Sequence, residues 1–101
     1  MPKAGKKWRT PDTENLFGVI LSLRNLDETR RFLRDILTEA EILEFANRWK
    51  VARLLAVKVP YKEIEKQSGM SSTTIARIQK WLKKGEGGYR LMIARMAAKK
   101  R

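Results

Sequence analysis

The chain has 101 residues, with 23 Lys and Arg against 11 Asp and Glu, and a formal net charge of +12 at pH 7. This length predicts one domain, and no apolar run approaches the roughly 20 residues that span a bilayer. Because the sequence has no cysteine and no histidine, it excludes disulfides, thiolate metal sites and imidazole acid–base chemistry. We expect a cytoplasmic protein without membrane, metal or cofactor binding, and not an enzyme.

The positive charge is concentrated in the second half of the chain. Residues 1–11 hold four cations and no acid, and residues 12–43 hold four cations and seven acids. Residues 44–101 hold fifteen cations and four acids. A localised basic field is typical of proteins that bind a polyanion.

The N-terminal segment, residues 1–11, is predicted to be a disordered basic arm. Its prolines and glycine break helices, and its lysines repel one another. Such an arm could lie along phosphates or in a minor groove, or it could serve only as a solubilising tail. We expect a single helical domain over residues 12–98 and a short basic tail over residues 99–101.

Two helices are predicted after the arm. Asp12 or Thr13 can cap the first, which should extend to about Asn25. Asp27 can cap the second, which should extend to about Leu37. The first helix carries apolar residues around more than one face.

A third, long helix is predicted to begin at Thr38 and to end near Val57. Thr38 and Glu41 have the spacing of a capping box. This helix, too, has an apolar band wider than the roughly 100° that a surface helix of a small monomer needs. A chain of this size buries only about 60–65% of its surface alone, so we expect a second copy, related by twofold symmetry, to cover the remainder.

The stretch 61–82, YKEIEKQSGMSSTTIARIQKWL, predicts two short helices joined by a tight turn. Gly69 is the expected pivot, since only glycine takes a positive φ without steric cost. Ser71 or Ser72 can cap the second helix, and Ile64 should pack against its inward side. The pattern matches a helix-turn-helix with its recognition helix, although an ordinary pair of antiparallel helices is the simpler reading.

The second of these helices has two distinct faces. Apolar residues at i, i+3 and i+7 should turn inward: these are Ile75, Ile78 and Leu82. Hydroxyls and cations should turn outward: these are Thr73, Arg77, Lys80 and Lys84. Two residues depart from the usual motif: Glu65 lies where a small residue is common, and Ser68 lies where an apolar residue is common.

A glycine-rich turn and a last helix complete the predicted chain. Three glycines in residues 85–88 should end the recognition helix, and a final helix should extend from Tyr89 to about Ala98. The sequence shows no strand pattern. The predicted fold is therefore all-α, with about six helices.

The order of these elements resembles the Trp repressor superfamily, and within it the small bacterial YerC/YecD group. The matching stretches are LTEAEILEFANRWKVARLL, YKEIEKQSGMSSTTIARIQKWL and GEGGYRLMI, and the GGYRL segment is particular to the YerC-like group. The resemblance covers about residues 14–94. It implies an intertwined homodimer that binds double-stranded DNA as a nucleoid-associated transcriptional regulator. A twofold dimer would place its recognition helices about 34 Å apart, one turn of DNA.

The resemblance also implies roles for single residues. Ser72 and Thr73 match positions that approach base edges, Ser71 and Thr74 match hydroxyls that can reach phosphate, and Lys62 matches a phosphate-contacting position. The cations on the outward face add sequence-independent attraction to phosphate. The predicted DNA-binding residues are Lys62, Ser71, Ser72, Thr73, Thr74, Arg77, Lys80 and Lys84.

Arg48 and Arg77 match two arginines that flank the amino-acid effector in tryptophan-responsive members of the superfamily. In those members the residue after the second arginine is glycine, which leaves room for the indole. Here that residue is Ile78, which should point inward and fill the space. We therefore predict that tryptophan does not bind and that Arg77 serves phosphate or a guanine edge. The sequence indicates no other effector.

Two alternatives remain open at this point. A basic RNA-binding or ribosome-associated protein fits the charge but does not require the Gly69 turn. A helical protein-interaction module fits the two-helix stretch without any nucleic acid. The aromatic residues Trp49, Trp81 and Tyr89 are predicted to lie in the core or in a dimer interface rather than to stack on bases.

Overall fold

A computed structural model describes residues 7–99. It contains six α-helices, and no strand occurs within that range: α1 Pro11–Leu21, α2 Leu26–Ile36, α3 Glu39–Ala56, α4 Tyr61–Ser68, α5 Ser72–Lys84 and α6 Gly88–Lys99. The prediction of an all-α chain with about six helices is confirmed. Most of the predicted basic arm, residues 1–6, and the end of the predicted tail, residues 100–101, lie outside the described residues.

The chain divides into two units, Met1–Glu39 and Ala40–Arg101. The first contains α1 and α2, and neither helix has a buried residue. Phe17 and Ile20 are 43% and 42% exposed, and Leu21 is 86% exposed. The apolar faces predicted for α1 are therefore not covered within this unit, and the single domain over residues 12–98 remains a prediction.

The start of α1 corrects the predicted cap. The cap is Thr10 rather than Asp12 or Thr13: the Oγ1 atom of Thr10 accepts a hydrogen bond from the Thr13 N–H at 3.0 Å. In return, the Oγ1 atom of Thr13 accepts one from the Thr10 N–H at 2.8 Å. Pro11 occupies the first turn, where a missing N–H costs nothing. Pro11, which counted as a helix-breaking residue of the predicted arm, is thus the first residue of α1.

The residues just before α1 pack back against it. The rings of Trp8 and Phe17 meet edge to face with their centroids 6.1 Å apart, and the Arg9 guanidinium lies 5.2 Å from the centre of the Trp8 ring. The Thr13 hydroxyl donates to the carbonyl of Trp8 at 2.7 Å. Trp8 is therefore packed against the helix that begins at Pro11.

The junction between α1 and α2 is also shifted from its predicted place. α1 ends at Leu21 instead of Asn25, and Asn25 rather than Asp27 caps α2. The Asn25 side chain accepts from the Glu28 N–H at 2.9 Å, the reach of an N-cap oxygen. Asp27 instead lies in the first turn, where a negative charge favours the helix dipole.

The second unit contains a core to which α3, α4 and α5 contribute. Its buried residues are Val51, Ala52, Leu55, Ile64, Ile75, Ile78 and Leu82. The inward face predicted for the recognition helix and the inward position of Ile64 are confirmed. α3 nevertheless leaves Leu43 and Phe45 70% and 53% exposed, so much of its wide apolar band is not covered by the unit itself.

The end of α3 has an unusual residue in a left-handed conformation. Lys58 has φ 66° and is the only non-glycine residue with positive φ among the described residues. The Lys58 N–H donates to the Leu55 carbonyl at 3.0 Å, and the Val59 N–H donates to the Leu54 carbonyl at 3.1 Å. This is the hydrogen-bond pattern of a Schellman motif, in which glycine is usual at the position of Lys58.

Candidate nucleic-acid interface

The turn between α4 and α5 depends on Gly69, as predicted. Gly69 ends α4 in the left-handed region with φ 73° and ψ 2°, and its N–H donates to the Glu65 carbonyl at 2.8 Å. A Cβ atom added at Gly69 would meet nothing within 4 Å. Glycine is therefore needed for the backbone conformation and not for space.

Ser68 stabilises the same turn through hydrogen bonds. Its Oγ atom donates to the Ile64 carbonyl at 2.6 Å and accepts from the Met70 N–H at 3.1 Å. The hydroxyl thus connects the last turn of α4 to the residue after the pivot. This accounts for a serine where the motif usually has an apolar residue.

Two side chains of α3 hold the end of α4. Asn47 Nδ2 donates to the Ser68 carbonyl, and Lys50 Nζ donates to the Gln67 carbonyl, each at 2.8 Å. Carbonyls in the last turn of a helix have no partner inside it, and a cation there also complements the helix dipole. Sequence reasoning missed both residues. The available signal was their i, i+3 spacing, which places two donors on one side of α3.

The four hydroxyls at the start of α5 fall into two pairs. Ser71 is the N-cap: its Oγ atom accepts from the Thr74 N–H at 3.2 Å and lies 3.1 Å from the Thr74 hydroxyl. Ser72 and Thr73 are exposed and have no side-chain hydrogen bond within the described part of the chain. Ser71 and Thr74 thus form the N-terminal cap of α5, whereas the hydroxyls of Ser72 and Thr73 are available to a ligand.

The predicted cations of the site are exposed on α4 and α5. Arg77, Lys80 and Lys84 lie on α5, and Lys62 lies on α4. None of them forms a salt bridge within the described residues. α5 contains no Asp or Glu, so no carboxylate of that helix offsets this charge. Thr73 and Arg77 are one turn apart and share a face, which Lys80 and Lys84 extend.

The position of Ile78 agrees with the reasoning about the effector. Ile78 is 1% exposed and belongs to the core. Arg77, the next residue back, is exposed. Arg48 pairs with Glu44 of its own helix at 3.2 Å and lies near Tyr89. Burial raises the pKa of the Tyr89 hydroxyl, and the charge of Arg48 opposes this rise in pKa only in part.

The three aromatic residues line a cavity beside the core, and Tyr89 also packs against the core residues. Trp49, Trp81 and Tyr89 surround a space of about 630 Å³ together with Met92. Trp81 is 42% exposed, so it is not a core residue of the second unit. Trp49 also has the Arg53 guanidinium 5.9 Å from the centre of its ring.

Residues 7–99 contain neither a metal-binding cluster nor a membrane-spanning helix. No group of three or more His, Cys, Asp or Glu side chains there could hold a metal ion. None of the helices in that range combines the length and the apolar character needed to cross a bilayer.

Comparison with known proteins identifies the family. The profile of the Trp repressor protein family matches residues 12–97. The Bacillus subtilis protein YerC, which is uncharacterized, is 38% identical over 90 residues, 89% of this chain and 86% of YerC. A TrpR-like protein from Eubacterium eligens superposes with a TM-score of 0.86 at 36% identity, over 92% of this chain and 96% of that chain. A protein from Staphylococcus aureus proposed to be a Trp repressor gives a TM-score of 0.85 at 32% identity, over 95% and 96% of the two chains. The chain therefore belongs to the Trp repressor family and is similar to YerC within it.

Proposed function

We propose that this protein is a sequence-specific, DNA-binding transcriptional regulator that acts as a homodimer and does not respond to tryptophan. The observation that carries the proposal is the exposed face of α5, where the side chains of Ser72, Thr73 and Arg77 have no hydrogen-bond or salt-bridge partner within residues 7–99. The core fixes α5 from behind, and bonds from Asn47 and Lys50 hold the end of the preceding helix, α4.

The residues proposed to read bases occupy the first, second and sixth positions of α5. Thr73 and Arg77 are separated by roughly 6 Å along the helix axis, at 1.5 Å per residue. This separation suits neighbouring base pairs in a major groove. An arginine can donate two bonds to guanine O6 and N7, and a threonine offers a hydroxyl to several bases and a methyl group to thymine.

Phosphate contacts are proposed for the residues around this face. Lys62, Lys80 and Lys84 supply positive charge, and the first N–H groups of α5 point out of the helix without an intrahelical acceptor. Ser71 and Thr74 lie beside them, although their hydroxyls already take part in the cap. Contacts of this kind should make binding weaken steeply with salt.

The proposal of a homodimer is supported by apolar surface that the chain does not cover. Phe17, Leu21 and Leu26 in the first unit are 43%, 86% and 63% exposed, and Leu43 and Phe45 in α3 are 70% and 53% exposed. A small monomer rarely leaves so many large apolar side chains in water. Light scattering in solution should give twice the 11.8 kDa chain mass.

The independence from tryptophan is supported by Ile78. Its side chain fills a position in the core where an indole would need free space, and it is 1% exposed. Arg77 is thereby proposed to act on DNA instead of on an amino acid.

Selection of bound duplexes from a random pool tests the proposal most directly. We expect a consensus with twofold symmetry whose half-sites are about 34 Å apart. Arg77→Ala should weaken binding to that consensus by about 1–3 kcal/mol and relax the preference at one base pair per half-site. Thr73→Ala should act in the same direction at a neighbouring base pair. Arg95→Ala, which removes an exposed cation of α6, serves as the matched control and should leave the consensus unchanged.

The alternatives predict different results in the same assay. An RNA-binding protein would lose the duplex to an RNA competitor and give no consensus. A protein-interaction module would select no duplex, and its partner would remain bound after Thr73→Ala and Arg77→Ala. Either outcome would overturn the proposed function.

A further inference from the structure

A groove on one flank of α5 holds a second group of cations. Its volume is about 390 Å³, and it lies between the end of α3, the later part of α5 and α6. Lys58, Lys83 and Arg90 line it, each from a different segment, and no carboxylate lines it within the described residues. Lys83 lies six residues after Arg77, which is about 120° away around the helix. The groove is therefore distinct from the face proposed to read bases.

The charge of the groove is not neutralised inside the protein. None of its three cations forms a salt bridge in the part of the chain that the structure describes. Three like charges around one concavity repel one another, and an anion between them would add an attraction to each of the three cations. Below the cations the groove is apolar, with Leu55, Leu82 and Ile93 along its floor. The lining thus combines a positive rim with an apolar floor, and a matching ligand needs both an anionic group and an apolar body.

Two further features of the lining point to a binding role. Lys58 keeps the left-handed φ of 66°, a conformation that costs a non-glycine residue free energy and that is concentrated at functional sites. Glycine at this position would remove the strain but also one cation of the groove. The Oε1 atom of Gln79 is shielded from solvent and has no hydrogen-bond partner among the described residues. The Nε2 group of Gln79 likewise forms no hydrogen bond within residues 7–99, so its N–H groups are available to donate to a ligand in the groove.

We propose that this groove binds a small organic anion with an apolar body, of the class of aliphatic carboxylates. Its charged group is held by Lys58, Lys83 and Arg90, with the Gln79 amide as a further donor. Its hydrocarbon part lies on the apolar floor. This inference concerns a site separate from the proposed DNA contacts and does not depend on them.

Titration of the full chain followed by amide NMR tests the site, with octanoate as the probe. We expect saturable shifts concentrated in residues 55–58, 79–83 and 90–94. Octylammonium has a matching apolar chain with the opposite charge and should give no saturable shift there. Inorganic phosphate, the anionic group without an apolar body, should bind more weakly than octanoate. Equal responses to octanoate and octylammonium would show that the groove only attracts hydrocarbon, and would overturn the proposal.

Variants of the rim cations test whether octanoate binds to these particular side chains or is attracted only by the positive charge of the whole protein. Arg90→Gln combined with Lys83→Gln should weaken octanoate binding about tenfold, equivalent to about 1.4 kcal/mol. Arg95→Gln removes an exposed α6 cation that does not line the groove, and it should change octanoate affinity by less than about twofold, as expected for a screened surface charge. A similar loss in both variants would refute the assignment. Shifts of the groove residues with duplex DNA and not with octanoate would also refute it, and would assign these cations to nucleic-acid phosphate.

Discussion

The clearest quantitative prediction concerns Ser71 and Ser72, two adjacent serines with different tasks. The Ser71 hydroxyl caps α5 by accepting from the Thr74 N–H at 3.2 Å, whereas Ser72 is exposed and has no side-chain bond within the described residues. Removal of an N-cap oxygen typically costs about 1 kcal/mol. In a domain of this size, a loss of 1 kcal/mol lowers the melting temperature by about 4–8 °C. We expect that fall for Ser71→Ala.

The matched variants make this comparison decisive. Ser72→Ala removes the same atom one position later and should change stability by less than about 0.5 kcal/mol. Ser71→Asn keeps an oxygen that can cap and should restore most of the loss. Thermal unfolding followed by circular dichroism, with all variants at one protein concentration, provides the measurement. If Ser71→Ala and Ser72→Ala lower the melting temperature equally, the division of the hydroxyls into a structural pair and an available pair is wrong.

Three other outcomes are expected. Gly85→Ala should destabilise the protein by about 1–3 kcal/mol in urea unfolding, because the added Cβ would lie 2.5 Å from the Trp81 carbonyl oxygen. Gly88→Ala is the control, since a Cβ added there would meet nothing within 4 Å. Lys58→Gly should stabilise by about 0.5–1 kcal/mol, since glycine takes a positive φ freely, while Lys58→Ala should give no such gain. Calorimetry with tryptophan should show no binding, because Ile78 occupies the core; micromolar affinity would contradict this.

The helix-turn-helix could be predicted because its signals are local. Gly69 marks the pivot, and the spacing of Ile75, Ile78 and Leu82 defines the buried side of α5 within a single helix. Both patterns follow from backbone sterics and helical periodicity alone. The resemblance to the Trp repressor superfamily rested on this stretch together with LTEAEILEFANRWKVARLL and GEGGYRLMI, and the comparisons confirm it.

The N-caps of α1 and α2 were predicted at the wrong residues because each helix start offers two side chains that could cap it. Thr10 and Thr13 can both cap a helix, and so can Asn25 and Asp27; the choice is made by which oxygen reaches a free N–H. For Lys58 no local signal existed, because glycine is the residue that usually indicates a left-handed helix end.

Contacts between distant parts of the chain were also beyond the sequence argument. Asn47 donates to a carbonyl 21 residues later, and Lys50 donates to one 17 residues later. Periodicity places both side chains on one side of α3, but only the packing of α4 against it shows which carbonyls they meet.

The way in which α3 holds α4 has a consequence for how this protein can diverge. Asn47 and Lys50 both bind main-chain carbonyls, which are present whatever side chains α4 carries at those positions. The support of α4 is thus insensitive to the side chains that α4 carries there. Residues at the exposed start of α5 can therefore change while α4 stays anchored to α3, and under the proposed function such changes would alter the DNA sequence that is bound.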